Sequence, residues 1–169
     1  SRIFLGLGSN LGDRYAFIKE GIKLLDDHPH IWVVAHSYVY QSAPMYEHDQ
    51  EDYYNMVIEI YTNLTPIDLL KEIKVIEKVI GRIASVQKNM PRELDIDILS
   101  FGNFKIHSTL LEIPHPKISE RKFVLKPWND IASDYIYPGA DKNIQELLDS
   151  LTDSYSVNMV LIIEKEDSL

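Results

Sequence analysis

An α+β fold, in which one antiparallel sheet carries two helices on one face, is what this sequence predicts. Three observations predict it. Apolar, β-branched stretches and amphipathic stretches follow one another in the order strand, helix, strand, strand, helix, strand. The two helical stretches open on capping residues. The composition, 45% hydrophobic and 25% charged over 169 residues, is that of a globular domain with a core of its own. We therefore expect one domain over residues 1–169.

The first strand is Ile3-Phe4-Leu5-Gly6-Leu7. A turn cluster follows, Gly8-Ser9-Asn10-Leu11-Gly12-Asp13, in which Asp13 suits a helix N-cap. From Arg14 to Leu25 the apolar residues Phe17, Ile18, Ile22 and Leu25 recur at helical spacing, with Gly21 as the weak point. His28-Pro29 ends that helix. Ile31 to Gln41 is rich in β-branched and aromatic residues and reads as one strand. Ser42 to Asp52 contains Pro44 and several acidic residues, and reads as a loop.

Tyr53 to Tyr61 reads as a long strand. Thr65-Pro66-Ile67-Asp68 opens the clearest helix, with Thr65 as cap and Pro66 in the first helical position. Leu69, Leu70, Ile73, Ile76 and Ile80 form its apolar stripe, and Gly81 is its expected stop. Arg82 to Arg92 is then a polar loop, Leu94 to Phe101 a strand, and Phe104 to Ile106 a short one. This order is that of the ferredoxin-like βαββαβ core. Extra C-terminal elements are expected: helices near Ser119–Leu125 and Asn143–Leu151, and a strand over Val157–Glu164.

Charge and composition exclude several functions. Lys plus Arg is 17 and Asp plus Glu is 26, a net charge of −9, which disfavours a nucleic-acid partner. The absence of cysteine excludes disulfides, thiolate catalysis and cysteine-bound zinc. No apolar run approaches the ~18–20 residues of a membrane span, and no apolar signal segment opens the chain, so no membrane partner and a cytoplasmic location are expected. Gly6-x-Gly8-x-x-x-Gly12 is not a dinucleotide fingerprint, because its third glycine comes one residue late.

The strongest chemical signal is Leu94-Asp95-Ile96-Asp97-Ile98. On a strand, Asp95 and Asp97 share one face, their Cα atoms roughly 6.5–7 Å apart. Two carboxylates so placed suit Mg²⁺ bridged by phosphate oxygens. A solvent-facing pair on an amphipathic strand is the plain alternative. Arg82, Arg92, His115 and Arg121 supply cations and donors for a polyphosphate, although each taken singly reads as a surface residue. Asn55 shares a strand face with Tyr53, a combination that suits a planar heterocycle, while an ordinary polar residue at a strand edge explains Asn55 equally well.

Together these segments resemble the 6-hydroxymethyl-7,8-dihydropterin pyrophosphokinase family of folate biosynthesis. The resemblance rests on Leu7-Gly8-Ser9-Asn10-Leu11-Gly12-Asp13, Tyr53-Tyr54-Asn55, Glu77-x-x-x-Gly81-Arg82, Pro91-Arg92-Glu93-Leu94-Asp95-Ile96-Asp97-Ile98, Pro114-His115-Pro116 and Arg121-Lys122-Phe123-Val124-Leu125, in the family's order and spacing. It implies a Mg²⁺-dependent transfer of diphosphate from ATP to the pterin's hydroxymethyl oxygen, releasing AMP. It implies Asp95 and Asp97 as ligands of two Mg²⁺ ions. It implies Ser42, Ala43, Pro44, Met45, Tyr53, Asn55 and Phe123 around the pterin, and Glu77, Arg82, Arg92, Ile98, His115 and Arg121 on the ATP side, with Arg82, Arg92, Asp95 and Asp97 catalytic. Tyr46, Ala84, Asn89 and Met90 depart from the residues usual at their positions. The expected partners are ATP and the pterin, for a monomer fused to or associated with dihydropteroate synthase. The competing readings are another Mg²⁺-dependent nucleotidyl or phosphoryl transferase, a ferredoxin-like regulatory module, and an RNA-binding ferredoxin-like domain, the last opposed by the charge of −9.

Overall fold

The computed structural model describes residues 1–10, 13–42, 52–88, 94–151 and 157–160. Strand β1 (Ile3–Ser9) lies between β4 (Tyr53–Thr62) and β5 (Asp95–Phe101), antiparallel to both. Beyond β4 lie β2 (Ile31–His36) and β3 (Tyr40–Ser42), each antiparallel to β4, and β8 (Val157–Met159) pairs with β3. Helix α1 (Arg14–Asp26) follows β1 and α2 (Pro66–Lys88) follows β4. The expected β-α-β-β-α-β order is therefore present, with the segment expected as one strand over 31–41 divided in two.

That division has a local cause. The backbone N–H of Ser37 donates to the Val57 carbonyl at 2.9 Å, and its hydroxyl accepts from the Val57 N–H at 2.9 Å. The serine side chain replaces a ladder partner, so the chain leaves regular pairing without orphaning β4. Asp26 accepts from the Val33 N–H on the outer edge of β2, at 3.0 Å.

The caps act as the sequence indicates. Asp13 accepts from the Ala16 N–H at 3.1 Å, and the Thr65 hydroxyl accepts from the Asp68 N–H at 3.2 Å. Gly21 is tolerated in α1 for reasons of space: a Cβ there would lie 2.5 Å from Leu94 Cδ2. Gly81 does not stop α2, which runs on to Lys88, so residues 82–88 are helical and not the expected loop. An interior glycine costs about 1 kcal/mol. Ile76 and Ile80 are buried just before it, and the first proline after it is Pro91.

Two cores sandwich the sheet. On one face Leu5, Leu7, Ile58, Ile60, Ile96 and Ile98 pack against Ile18 and Leu25 of α1 and Leu69, Ile73 and Ile80 of α2. On the other, Phe4, Val57 and Leu99 meet α3 (Lys122–Ala132) and α4 (Ile144–Asp149) through Leu125, Trp128 and Ile144. Trp128 is fully buried against Phe4, ring centroids 5.2 Å apart. Each such side chain contributes on the order of 1.5–3 kcal/mol by leaving water. The extra C-terminal helices thus cover the face that α1 and α2 leave open.

Smaller boundaries shift. A 3-10 turn at Ile118–Glu120 precedes α3, with extended backbone at Arg121 between them. Asn143 caps α4 in a reciprocal capping box with Glu146. In place of a strand over 104–106, β6 (Ile106–His107) and β7 (Glu112–Ile113) form a hairpin. The late strand is described over Val157–Met159, and residues 161–164 of that expectation lie outside the described residues.

Candidate active site

Alternate residues of three neighbouring strands build the site. Asn55 on β4, Gly8 on β1 and Asp95 on β5 stand in one row across the sheet, and Val57, Gly6 and Asp97 stand in the next. Adjacent strands are about 4.8 Å apart, so the amide and the nearer carboxylate are anchored roughly 9–10 Å apart with only glycine between them. The result is a trough. A Cβ on Gly8 would lie 3.2 Å from Asn55 Oδ1, and one on Gly6 would lie 3.4 Å from a Leu99 methyl. Leu99, two residues beyond Asp97, lies on this same face, and a β-bulge there, where β5 passes Phe4 and Leu5, returns Phe101 to the opposite core.

The cavity has a volume of about 250 Å³ and is lined by both glycines, by Asn55, Asp95 and Asp97, and also by Ser42, Tyr53, His115, Arg121 and Phe123. On its β4 side the Asn55 Nδ2 donates to the Ser42 hydroxyl at 2.7 Å, and both residues are buried. Phe123 stands in the first turn of α3, with the Arg121 guanidinium 5.5 Å from its ring centroid. Two aromatics, a positioned amide, a basic group and two carboxylates therefore border one trough.

His115 is anchored by its backbone, whose N–H donates to the Leu99 carbonyl at 2.9 Å. Its Nδ1 accepts from the Lys117 N–H at 3.3 Å, which assigns the proton of the neutral ring to Nε2. Burial holds the imidazole below its ordinary range; Asp97 pulls the other way, and Arg121 adds to the depression. A neutral His115 presents a donor without adding charge.

The donor set fits Mg²⁺. That ion keeps several waters and takes one or two carboxylates plus phosphate oxygens. Asp95 and Asp97 supply two carboxylates at the edge of an open trough, where glycine leaves space for phosphate. Among the described residues no group of three or more His, Cys, Asp or Glu could hold a metal alone, so ligand oxygens would have to complete the shell.

The fold thus brings Ser42, Tyr53, Asn55, Asp95, Asp97, His115, Arg121 and Phe123 to one cavity. Glu77, expected on the nucleotide side, binds the outer edge of β5 instead of lining the cavity: its Oε2 accepts from the Ile96 N–H at 2.9 Å. The Ile98 side chain is buried in the α1/α2 core, and Arg82 is carried on α2 away from the cavity lining. Arg92, Ala43, Pro44 and Met45 lie outside the described residues. The sequence reading missed Gly6 and Gly8. Their signal was available: glycine at alternate positions of an otherwise apolar strand marks close approach of something else.

Comparison with known proteins completes the picture. Residues 4–133 match the sequence model of a family described as 7,8-dihydro-6-hydroxymethylpterin-pyrophosphokinase. The chain is 40% identical over 151 residues to the folic acid synthesis protein fol1 of Pneumocystis carinii, covering 89% of this chain and 20% of that protein. It is 38% identical over 128 residues to the 2-amino-4-hydroxy-6-hydroxymethyldihydropteridine pyrophosphokinase of Bacillus subtilis, covering 76% of each. In fold it is similar to a crystal structure of a Plasmodium falciparum HPPK-DHPS triple mutant, with a TM-score of 0.70 at 18% identity, over 88% of this chain and 42% of that one. The chain spans about a fifth of the Pneumocystis relative and under half of the Plasmodium one.

Proposed function

Because the chain belongs to the 7,8-dihydro-6-hydroxymethylpterin-pyrophosphokinase family, we propose that it transfers diphosphate from ATP to 6-hydroxymethyl-7,8-dihydropterin in folate biosynthesis. The hydroxymethyl oxygen attacks the β-phosphorus, the bond from that phosphorus to the oxygen bridging to the α-phosphate breaks, AMP leaves, and the hydroxyl proton is released. One observation carries the reading: the row Asn55–Gly8–Asp95 places an amide suited to a heterocycle and a carboxylate suited to a metal–phosphate complex in one trough.

The roles follow from chemistry. Asn55 offers a donor and an acceptor to the pterin edge while Tyr53 and Phe123 take its faces. Ser42 holds the Asn55 amide, and Ala43, Pro44 and Met45 belong to the same edge in this reading. Arg121 and the Nε2 proton of His115 bind phosphate oxygens, with Arg82 and Arg92 as further cations. Glu77 and the Ile98 backbone serve the nucleotide side, where Glu77 already fixes the β5 edge. Asp95 and Asp97 would hold two Mg²⁺ ions, which when bound neutralise the triphosphate and lower the barrier to attack on phosphorus. Positioning and electrostatics supply most of the catalysis of such transfers, so no strong general base is required.

In the same reading residues 1–169 form one pyrophosphokinase domain, monomeric and cytoplasmic, fused to or associated with dihydropteroate synthase. Among the described residues no helix is long and apolar enough to cross a membrane. The experiment is to supply ATP, Mg²⁺ and the pterin and to identify the nucleotide released. AMP is the expected product. ADP would indicate an ordinary kinase, and no turnover would return the fold to a regulatory module.

A further inference from the structure

Helix α3 contributes more than Phe123 to the cleft. Phe123, Lys126 and Asp130 stand at i, i+3 and i+7, one stripe of the helix. Phe123 lines the cavity. Lys126 Nζ donates to the Val157 carbonyl of β8 at 3.0 Å and lies 6.0 Å from the centroid of the Tyr40 ring. Both carboxylate oxygens of Asp130 accept from the Tyr40 hydroxyl, at 2.9 Å each, and one also accepts from the Tyr38 N–H at 3.2 Å. The same stripe therefore presents an aromatic to the cleft and grips β3 and β8 two turns later.

The gripped strand carries the other wall. Tyr40 pairs directly with Asn55 across β3 and β4, so their side chains share the α3 face of the sheet. Ser42, two residues further on the same face, accepts from Asn55 Nδ2. Tyr40 is 3% exposed, and its hydroxyl bonds to the helix through Asp130.

We propose that Tyr40 and Asp130 are positioning residues that set the width of the aromatic slot, by fixing α3, and with it Phe123, against the strand pair that holds Asn55 and Ser42. Neither touches the ligand; both act through residues that do. The proposal deepens the pterin reading of the cleft and rests on it.

Two further observations give it weight. Asp130 is exposed, so its carboxylate has water available and the bond to Tyr40 is not forced by burial of a charge. Lys126 grips β8 from the same stripe, so α3 meets the outer strands at two points and not by a single swivel.

The test uses the full chain and four variants. Tyr40→Phe removes one hydroxyl and keeps the ring. Asp130→Ala removes the acceptor from the other side, and Asp130→Asn keeps an acceptor oxygen without the charge. Binding of the pterin by calorimetry and steady-state kinetics for both substrates are measured, beside a melting curve. Tyr40→Phe and Asp130→Ala are each expected to raise the pterin Kd and KM about tenfold, with kcat within about twofold and the ATP KM unmoved. Asp130→Asn should restore most of the pterin affinity, and the Tyr40→Phe/Asp130→Ala double variant should be no worse than either single one.

Pterin affinity unchanged in the single variants, losses for ATP and pterin in parallel, or additive losses in the double variant would each overturn the clasp. Should Tyr40→Phe fail to fold, Asp130→Ala, at an exposed position, decides the matter alone. Wild-type protein that binds no pterin would overturn the cleft reading and this inference together. Wild-type binding with unaffected variants would overturn this inference only.

Discussion

Asn55 on β4 and Gly8 on β1 face one another so closely that a Cβ on the glycine would lie 3.2 Å from the asparagine Oδ1. Neither Gly6 nor Gly8 has a positive φ, so alanine meets no backbone strain at either position. Replacing glycine in a strand with alanine gains about 0.5–1 kcal/mol of conformational entropy. Gly8→Ala should therefore fold at least as well as wild type, yet displace the amide and weaken pterin binding by about tenfold. Gly6→Ala meets only a movable leucine methyl at 3.4 Å and should be milder. Calorimetry and melting curves for both variants check this, and a Gly6→Ala more damaging than Gly8→Ala would contradict the geometry.

The amide itself is the second target. Asn55→Ala should weaken pterin binding by on the order of 1–3 kcal/mol, since both the ligand edge and the Ser42 hydroxyl lose their partner. ATP affinity should barely change. Equal losses for the two ligands would indicate a damaged fold.

Asp95 and Asp97 repel each other whenever both are ionised without a cation. Asp95→Ala and Asp97→Ala should each keep the fold and lose on the order of 10²-fold or more in turnover. The double variant should lose less than the product of the two, because both ligands serve one metal–phosphate complex. Pterin binding alone should persist. The measurement is kinetics across a Mg²⁺ titration, and near-wild-type turnover in either single variant sinks the two-carboxylate site.

Alkaline pH tests the contact between β3 and α3. Burial, then the hydrogen bond and charge of Asp130, raise the Tyr40 phenol well above its ordinary value of 10.0. In the unfolded chain the phenol ionises first, so its contribution to stability is intact below pH 10.0 and is lost as pH rises above it. Chemical denaturation of wild type should show a falling midpoint in that range, and Tyr40→Phe should flatten the fall. An equally steep decline in the variant would count against the assignment.

Local signals in the sequence were enough for the strand that bears the carboxylates. Apolar and acidic residues alternate from Leu94 to Ile98, and the structure buries one set and turns the other to the cavity. Asp13 and Thr65 were legible as caps for the same reason: each acts within three residues of itself. What was illegible depends on partners distant in the chain. The break after His36 requires Val57, the bulge at Leu99 requires β1, and the continuation of α2 through Gly81 requires the core around Ile80. The spacing of the β1 glycines rules out a dinucleotide fingerprint and offers no other local meaning. Their meaning emerges only when Asn55 and Asp95 are placed on either side of them.

Phe4, Gly6 and Gly8 all point to the same side of β1, yet only Phe4 is roofed, by Trp128 and Tyr135. The second helical layer simply ends where the glycines begin. A heterocycle held between Tyr53 and Phe123 would extend that layer over the two glycines. Substrate would then act as a packing element as well as a reactant. Saturating ligand should raise the melting temperature in proportion to the logarithm of its concentration, with the largest protection in β1.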